Sequence, residues 1–297
     1  MTPLAPAYAD ELLANRIAAA LVTDMSVIAS PPDVCLKVNA LMSDPRASAD
    51  DLARVLLRDP ALAARVLRLA NSSFYRLANR VDTVSRAINV LGFAELQKLV
   101  LALSAVETFS RLSSDVTNMN AFWRHGVYTG LLAQAIARRC GVLRPERLFV
   151  AGVMHDIGTL IINHRYPELA EEMIREAKGD EAALHRIERR ELGFEHAQLG
   201  SLMLEHWQLP ASISEAVNWH HEPHLTRHAP VEAAVVYVAE LIANASGTGS
   251  FSELPGPALQ WDPEPLTRLG LPVNFTPDQL MDDVDQEYVE TLCLFLA

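Results

Sequence analysis

The sequence predicts an all-α fold, a bundle of helices. Three observations carry this: alanine and leucine dominate, strand-like alternation of β-branched residues is sparse, and apolar positions recur at spacings of three and four along nearly every segment. Half of the 297 residues are hydrophobic, enough for one large core or two adjoining ones. No uncharged run approaches the roughly 20 residues that a membrane-spanning helix needs.

The opening MTPLAPAYADELLANRIAAALV places acidic residues ahead of its apolar stretch and has no basic start, which argues against a secretory signal and for a cytoplasmic setting. RASADDLARVLLRD offers Ser48 as an N-cap with Asp51 three positions on, and Pro60 restarts the chain as a second helix, PALAARVLRLANSSF. SRAINVLGFAELQKLVLALSAVETF reads as a short helix, a turn at Gly92 and a longer amphipathic helix. The polar stretch SRLSSDVTNMN, near residues 110–120, is the best candidate for a boundary between two bundles.

Beyond it, MNAFWRHGVYTGLLAQAIARRCG has Asn120 as a candidate N-cap and Gly141 as a left-handed stop. LRPERLFVAGVMHDIGTLIINH starts with Pro145 as its first helical residue, a position whose N–H has no partner anyway. PELAEEMIREAKG, DEAALHRIERREL, EHAQLGSLMLEHWQ, PASISEAVNWHHE and PVEAAVVYVAELIANAS follow as further helices. From Gly247 the composition shifts to Gly, Ser and Pro, so the helical part is expected to end near residue 248, with a looser tail beyond.

Charge and cysteines narrow the function classes. Of a formal net charge of −12, residues 251–297 hold −8, from nine acidic side chains against one basic; this balance argues against indiscriminate binding to nucleic acid. Cys35, Cys140 and Cys293 are far apart, without zinc-knuckle or redox-pair spacing. No phosphate-cradling glycine loop, nucleophile elbow or zinc-finger spacing occurs.

VMHDIGTL, residues 153–160, sets a histidine and an aspartate side by side in an apolar run. Neighbours on a helix point about 100° apart, so His155 and Asp156 cannot both enter one core, but they can converge on something between them. A metal ion, with imidazole and carboxylate ligands, is the natural candidate. His125 shares a face with Phe122, Thr129, Leu132 and Ile136, and alone would read as a core histidine bonded to a carbonyl. The chain also offers His196, the doublet His220 and His221, and Glu240 inside VVYVAELIA. Several buried ionisable groups on separate helices are costly to desolvate unless they pair or bind a metal.

The order of these residues resembles the HD superfamily of metal-dependent phosphohydrolases. EHAQLGSLMLEHWQLP and NWHHEP resemble its HDOD branch, a bacterial output module, as do SPPDVCLKVNALMSDPRASADDLARVLLRDPALAARVLRLANSSFY and VSRAINVLGFAELQKLVL; together they cover roughly residues 25–245. The resemblance implies an N-terminal extension (1–24), an N-terminal helical subdomain (25–112) packed on an HD-like one (113–248), and an acidic extension (249–297). It implies that His125, His155 and Asp156 fall on ligand positions, with Asp156 able to bridge two ions. His196, His220 and His221 match the extra histidines of binuclear cyclic-dinucleotide phosphodiesterases.

Two departures stand out. Glu240 sits where a final aspartate belongs, and its longer arm displaces the carboxylate by about 1.5 Å. After HHEP the chain reads HLTRHAP, without the Gly-Tyr-Pro signature of those phosphodiesterases. The resemblance therefore implies first a signal-transduction module that binds a signalling protein or a nucleotide-type small ligand, with a divalent metal (Fe, Mn, Ni, Zn or Mg) or the remnant of its site. The alternative is a divalent-metal phosphohydrolase or phosphodiesterase acting on a nucleotide or cyclic dinucleotide, with Asp156 as its catalytic residue.

Elsewhere, Arg54, Arg58, Arg65 and Arg68 read as a solvated basic face or as a docking patch for an acidic partner. Asn71 and Ser72, in a stretch that matches a recurring HDOD motif, are expected at a contact between the two subdomains or with a partner. Trp207 and Trp219 are expected to pack in the wall of the histidine cluster.

Overall fold

The structure, a computed structural model, describes residues 6–25, 29–42, 44–72, 75, 77, 79–112, 115–249 and 259–296, with side chains from residue 13 onward and residue 182 excepted. Sixteen helices and no strand occur among the described residues. No single helix there is long and apolar enough to cross a membrane.

The N-terminal part comprises α1 (Pro6–Met25), α2 (Asp33–Met42), α3 (Ala49–Leu56), α4 (Pro60–Ala70), α5 (Val84–Leu91) and α6 (Phe93–Phe109). Ser48 opens α3 with a full capping box: its hydroxyl accepts from the Asp51 amide at 3.3 Å, and Asp51 Oδ2 accepts from the Ser48 amide at 2.9 Å. Asp59 caps α4 through the Leu62 amide at 3.0 Å, with Pro60 in the first turn. Buried on nearly every face, α6 packs against α2 and α5 on one side and against α8 of the second part on the other.

The second part begins with α7 (Met119–Arg139), capped by Asn118 rather than by the expected Asn120. Asn118 has the extended backbone that a cap requires, and its Oδ1 accepts from the amides of Asn120 and Ala121 at 3.1 and 3.2 Å; Asn120 lies inside the first turn. Gly141, at φ +69°, ends α7 in the left-handed conformation. Then follow α8 (Glu146–Met154), α9 (Ile157–Arg165), α10 (Pro167–Ala177), α11 (Glu181–Leu192), α12 (His196–His206), α13 (Ala211–Asn218), α14 (Pro230–Ala245), α15 (Pro263–Arg268) and α16 (Asp278–Leu296).

Two crossings are closed to backbone contact by glycine. A Cβ on Gly152 of α8 would lie 2.6 Å from Gly130 Cα of α7, and one on Gly158 of α9 would lie 1.9 Å from the His196 carbonyl oxygen at the start of α12. No side chain separates these helix pairs. One hydrophobic core runs through both parts without interruption, from Ala18 to Phe295.

The expected loose tail is corrected by this packing. α15 lies on α14 and α16 along α7, where Leu280, Val284, Leu294 and Phe295 are buried. Tyr128 donates to Asp285 at 2.9 Å, and Arg65 of α4 donates to the carbonyls of Leu294 and Phe295 at 3.3 and 2.8 Å. The acidic composition hides an apolar stripe at three-and-four spacing on the opposite face of α16. Most of the Gly/Ser/Pro shift that suggested the tail, residues 250–258, lies outside the described residues.

Candidate metal centre

The apolar run holding VMHDIGTL breaks at the pair itself: α8 stops at Met154, α9 starts at Ile157, and a turn closed by the Thr159 amide on the Asp156 carbonyl, 2.8 Å, lies between. The break turns His155 and Asp156 toward one point, with His155 Nε2 3.3 Å from Asp156 Oδ2. The glycine crossing of α7 and α8 brings in His125, whose Nε2 is 3.2 Å from His155 Nε2 and 3.6 Å from Asp156 Oδ2. On the other side of the carboxylate, the crossing of α9 and α12 places His196 Nε2 3.4 Å from Asp156 Oδ1. His220 and His221, just past α13, and Glu240 of α14 complete this side. His220 Nε2 is 3.9 Å from Asp156 Oδ1 and 3.7 Å from Glu240 Oε2, and His221 Nδ1 is also 3.7 Å from Glu240 Oε2.

The hydrogen positions follow from the partners. His125 Nδ1 meets the Thr248 carbonyl, His155 Nδ1 the Gly152 carbonyl at 2.7 Å, and His220 Nδ1 the Val217 carbonyl at 2.6 Å. A carbonyl only accepts, so each Nδ1 carries the hydrogen and each Nε2 of a neutral ring presents a lone pair. His196 is held the same way: Glu188 Oε2 accepts from its Nδ1 at 2.6 Å and from its amide at 2.8 Å. At His125, His155 and His220, lone pairs thus face one another and an acceptor-only carboxylate, while His196 Nε2 and His221 Nε2 stand 2.9 Å apart. His220 Nε2 is buried with no hydrogen-bond partner.

Such a set is satisfied by a cation. Ligand atoms about 2.1 Å from a common ion stand no more than about 4.2 Å apart. His125, His155 and Asp156 Oδ2 meet this condition in all three pairs; the ligand atoms of His196, His220 and His221, and those of His155, His220 and Glu240, form two further groups, each lying within 4.8 Å of one another. Asp156 turns Oδ2 to His125 and His155 and Oδ1 to His196 and His220. Anchoring the far nitrogen of His125, His155, His196 and His220 on a carbonyl or carboxylate is the outer-shell arrangement that orients metal-binding histidines.

Electrostatics point the same way. Burial opposes ionisation of Asp156, yet His155, His196 and His125 outweigh it and hold the carboxyl well below its ordinary range. Burial pushes His155 down to about 4, and burial with neighbouring imidazoles pushes His220 and His221 well below the imidazole value. His196 goes the other way, since Glu188 and Asp156 overcome its burial and raise it. Glu240 is raised by burial and then by Asp156.

Every predicted ligand residue is brought into this cluster; other expectations fare differently. Asn71 does not bridge the two parts: its side chain donates to the carbonyls of Leu67 and Val81 and accepts from the Val81 amide at 2.7 Å. Ser72 likewise donates to the carbonyl of Leu69. Both residues finish α4 locally. Arg54 pairs with Asp51 and is largely exposed, Arg58 is exposed, and Arg65 is engaged with α16. Trp207 is a junction residue rather than a wall of the cluster, donating to the Ala29 carbonyl at 3.0 Å.

The helix at α11 was expected, but not the buried ionisable face it turns to the cluster. Glu181, His185 and Glu188 are all buried on one face of it, and His185 stacks on His221 at 4.4 Å. Their spacing of four and three was a usable signal, hidden by the arginines and glutamates around it.

The HDOD domain model matches residues 28–223. The fold is similar to that of an HDOD domain protein of unknown function from Geobacter sulfurreducens, 24% identical, covering 95% of this chain and 99% of that one with a TM-score of 0.71. It is also similar to a candidate phosphohydrolase from Shewanella amazonensis, 22% identical, covering 93% of this chain and 97% of that one, TM-score 0.68. A candidate signal transduction protein from Marinobacter aquaeolei is 20% identical, with 95% of this chain and 65% of that one covered and a TM-score of 0.69. The chain spans 47% of an uncharacterized Treponema pallidum protein, 22% identical over 81% of this chain, so it accounts for about half the length of that curated relative.

Proposed function

The chain belongs to the HDOD family, and on that premise we propose that it is a signal-transduction module whose state is set by a buried divalent-metal centre. The observation that carries this reading is the set of imidazole Nε2 lone pairs held facing one another and Asp156, with His220 Nε2 buried and unpartnered. His125, His155 and Asp156 would hold one ion; His196, His220, His221 and Glu240, with the other Asp156 oxygen, would hold a second. An imidazole-rich set suits Fe, Ni or Zn better than Mn or Mg, which favour oxygen ligands. A cytoplasmic setting and a signalling protein or nucleotide-type small ligand as partner belong to the same reading.

The second reading is a phosphohydrolase, favoured by the position of Asp156 with one oxygen toward each ligand set. A bound ion would there lower the pKa of a water and offset charge on phosphoryl oxygens. The chain's own part would be to fix that ion with Asp156 and the anchored imidazoles. One experiment addresses both readings: metal content of protein purified without chelator, followed by assays on cyclic dinucleotides, cyclic mononucleotides and guanosine polyphosphates with Mn²⁺, Fe²⁺, Ni²⁺ or Mg²⁺. Bound metal without turnover is the expected outcome; turnover would favour the hydrolase, and protein that takes up no metal would sink both.

A further inference from the structure

Helix α12 is fixed by polar bonds at both ends, its start to the second part and its end to the N-terminal part. At its start, His196 is gripped through amide and ring by Glu188 and stands beside Asp156. Just past its end, Trp207 donates to the Ala29 carbonyl at 3.0 Å, and the Trp207 carbonyl accepts from Asn39 Nδ2 of α2 at 3.1 Å. Gln97 of α6 extends the chain by donating to Asn39 Oδ1 at 2.7 Å, while the Phe109 ring lies 5.6 Å from the buried Trp207 indole. Eleven residues of helix, roughly 16 Å, separate the ends.

Along this length α12 has no cushion against α9. Gly158 lies against the His196 carbonyl, and a Cβ on Gly200 would meet Gly158 N at 3.4 Å and Val217 at 3.3 Å. Asp156 caps α9 and His196 begins α12, so a change in the separation of these two side chains falls on two helices in backbone contact. Close-packed interiors pass such a displacement on rather than absorb it. At the far end it meets hydrogen bonds, which weaken steeply with misalignment.

We propose that α12 couples occupancy of the metal centre to the N-terminal part, so that the contacts of Trp207 with Ala29 and Asn39 read whether His196 and Asp156 share an ion. This inference rests on the metal reading above and adds its output: the docking of α2 and α6 on Trp207 differs between the ion-free and ion-loaded protein. Coupling of this kind is reciprocal, so the junction must affect ion affinity as much as the ion affects the junction.

The test uses the full chain. Amide hydrogen exchange is followed in chelator and with Zn²⁺ or Mn²⁺ added, and ion affinity is titrated in parallel. Loading is expected to slow exchange not only near His155 and His196 but also in α2, by about fivefold or more. Asn39→Leu removes the bond to Trp207 without touching a metal ligand; it should abolish the α2 response, keep the response of α9, and weaken ion binding by the same factor. Trp207→Phe keeps an aromatic ring beside Phe109 but loses the N–H and part of the indole's volume, and serves as the second variant if the first is poorly folded. Protection confined to the cluster in the wild type, or ion affinity unchanged in both variants, would overturn the coupling while leaving the metal reading intact. Absence of ion binding would overturn both.

Discussion

Among the described residues, the Glu95 group of the N-terminal part and the histidine cluster of the second part both bury ionisable side chains, and they solve burial in opposite ways. In the N-terminal part, Tyr75 donates to Glu95 Oε1 at 2.8 Å and Lys98 donates to Glu95 Oε2 at 3.3 Å, so each carboxylate oxygen has a donor of its own. In the histidine cluster, acceptors face acceptors: His125 Nε2 and His155 Nε2 are 3.2 Å apart with both hydrogens committed elsewhere. Burial of charge alone therefore does not mark a functional site. An unmatched set of lone pairs does, because only a proton or a cation completes it.

Removing one partner from each group has the largest expected effect. Lys98→Met leaves Glu95 buried without its counter-charge and is expected to cost about 3–5 kcal/mol in urea unfolding, with metal uptake unchanged. Asp156→Ala should do the reverse, lowering metal affinity by more than about 100-fold, beyond what outer-shell losses produce, with a normal circular dichroism spectrum. If the lysine variant lost metal as well, the two groups would not be independent.

Smaller changes sharpen the contrast. Glu188→Gln keeps an acceptor for His196 but removes its charge, and a 10–100-fold weaker affinity by competition with a chromophoric chelator is the expected result. The pH dependence has a definite sign. Without an ion, His196 and Glu240 both have raised pKa values, so they stay protonated above the ordinary imidazole and carboxyl ranges. Binding an ion must release those protons, so affinity should still be climbing with pH above about 6.5 and fall on acidification. A pH-independent affinity between about 6 and 8 would show that these two residues are not displaced by the ion.

Much of the ligand set was legible in the sequence, because histidines and acids placed in apolar stretches have few other reasons to be there. His125, the pair His155 and Asp156, His196, the pair His220 and His221, and Glu240 lie on five separate segments, and the chain brings α7 to α8 and α9 to α12 through glycine crossings at Gly130, Gly152, Gly158 and Gly200. The residues missed were those whose local setting is polar. Glu188 lies among arginines and glutamates that advertise solvent, and only its spacing from Glu181 and His185 betrays a buried face. Asn118 and Asn120 are equivalent as letters, and only the backbone angles decide which one caps α7. α16 was obscured by its net charge, although four buried apolar side chains fix it to the core.

The packing of α16 against α7 has a practical side. A fragment trimmed to residues 28–223, where the family match ends, would lack Glu240 and would strip α7 of the cover that α14 and α16 provide. Apolar surface uncovered in this way favours self-association. Anyone expressing this domain for biophysical work should therefore cut by the extent of the core, through Phe295, and not by the edges of the recognisable motif.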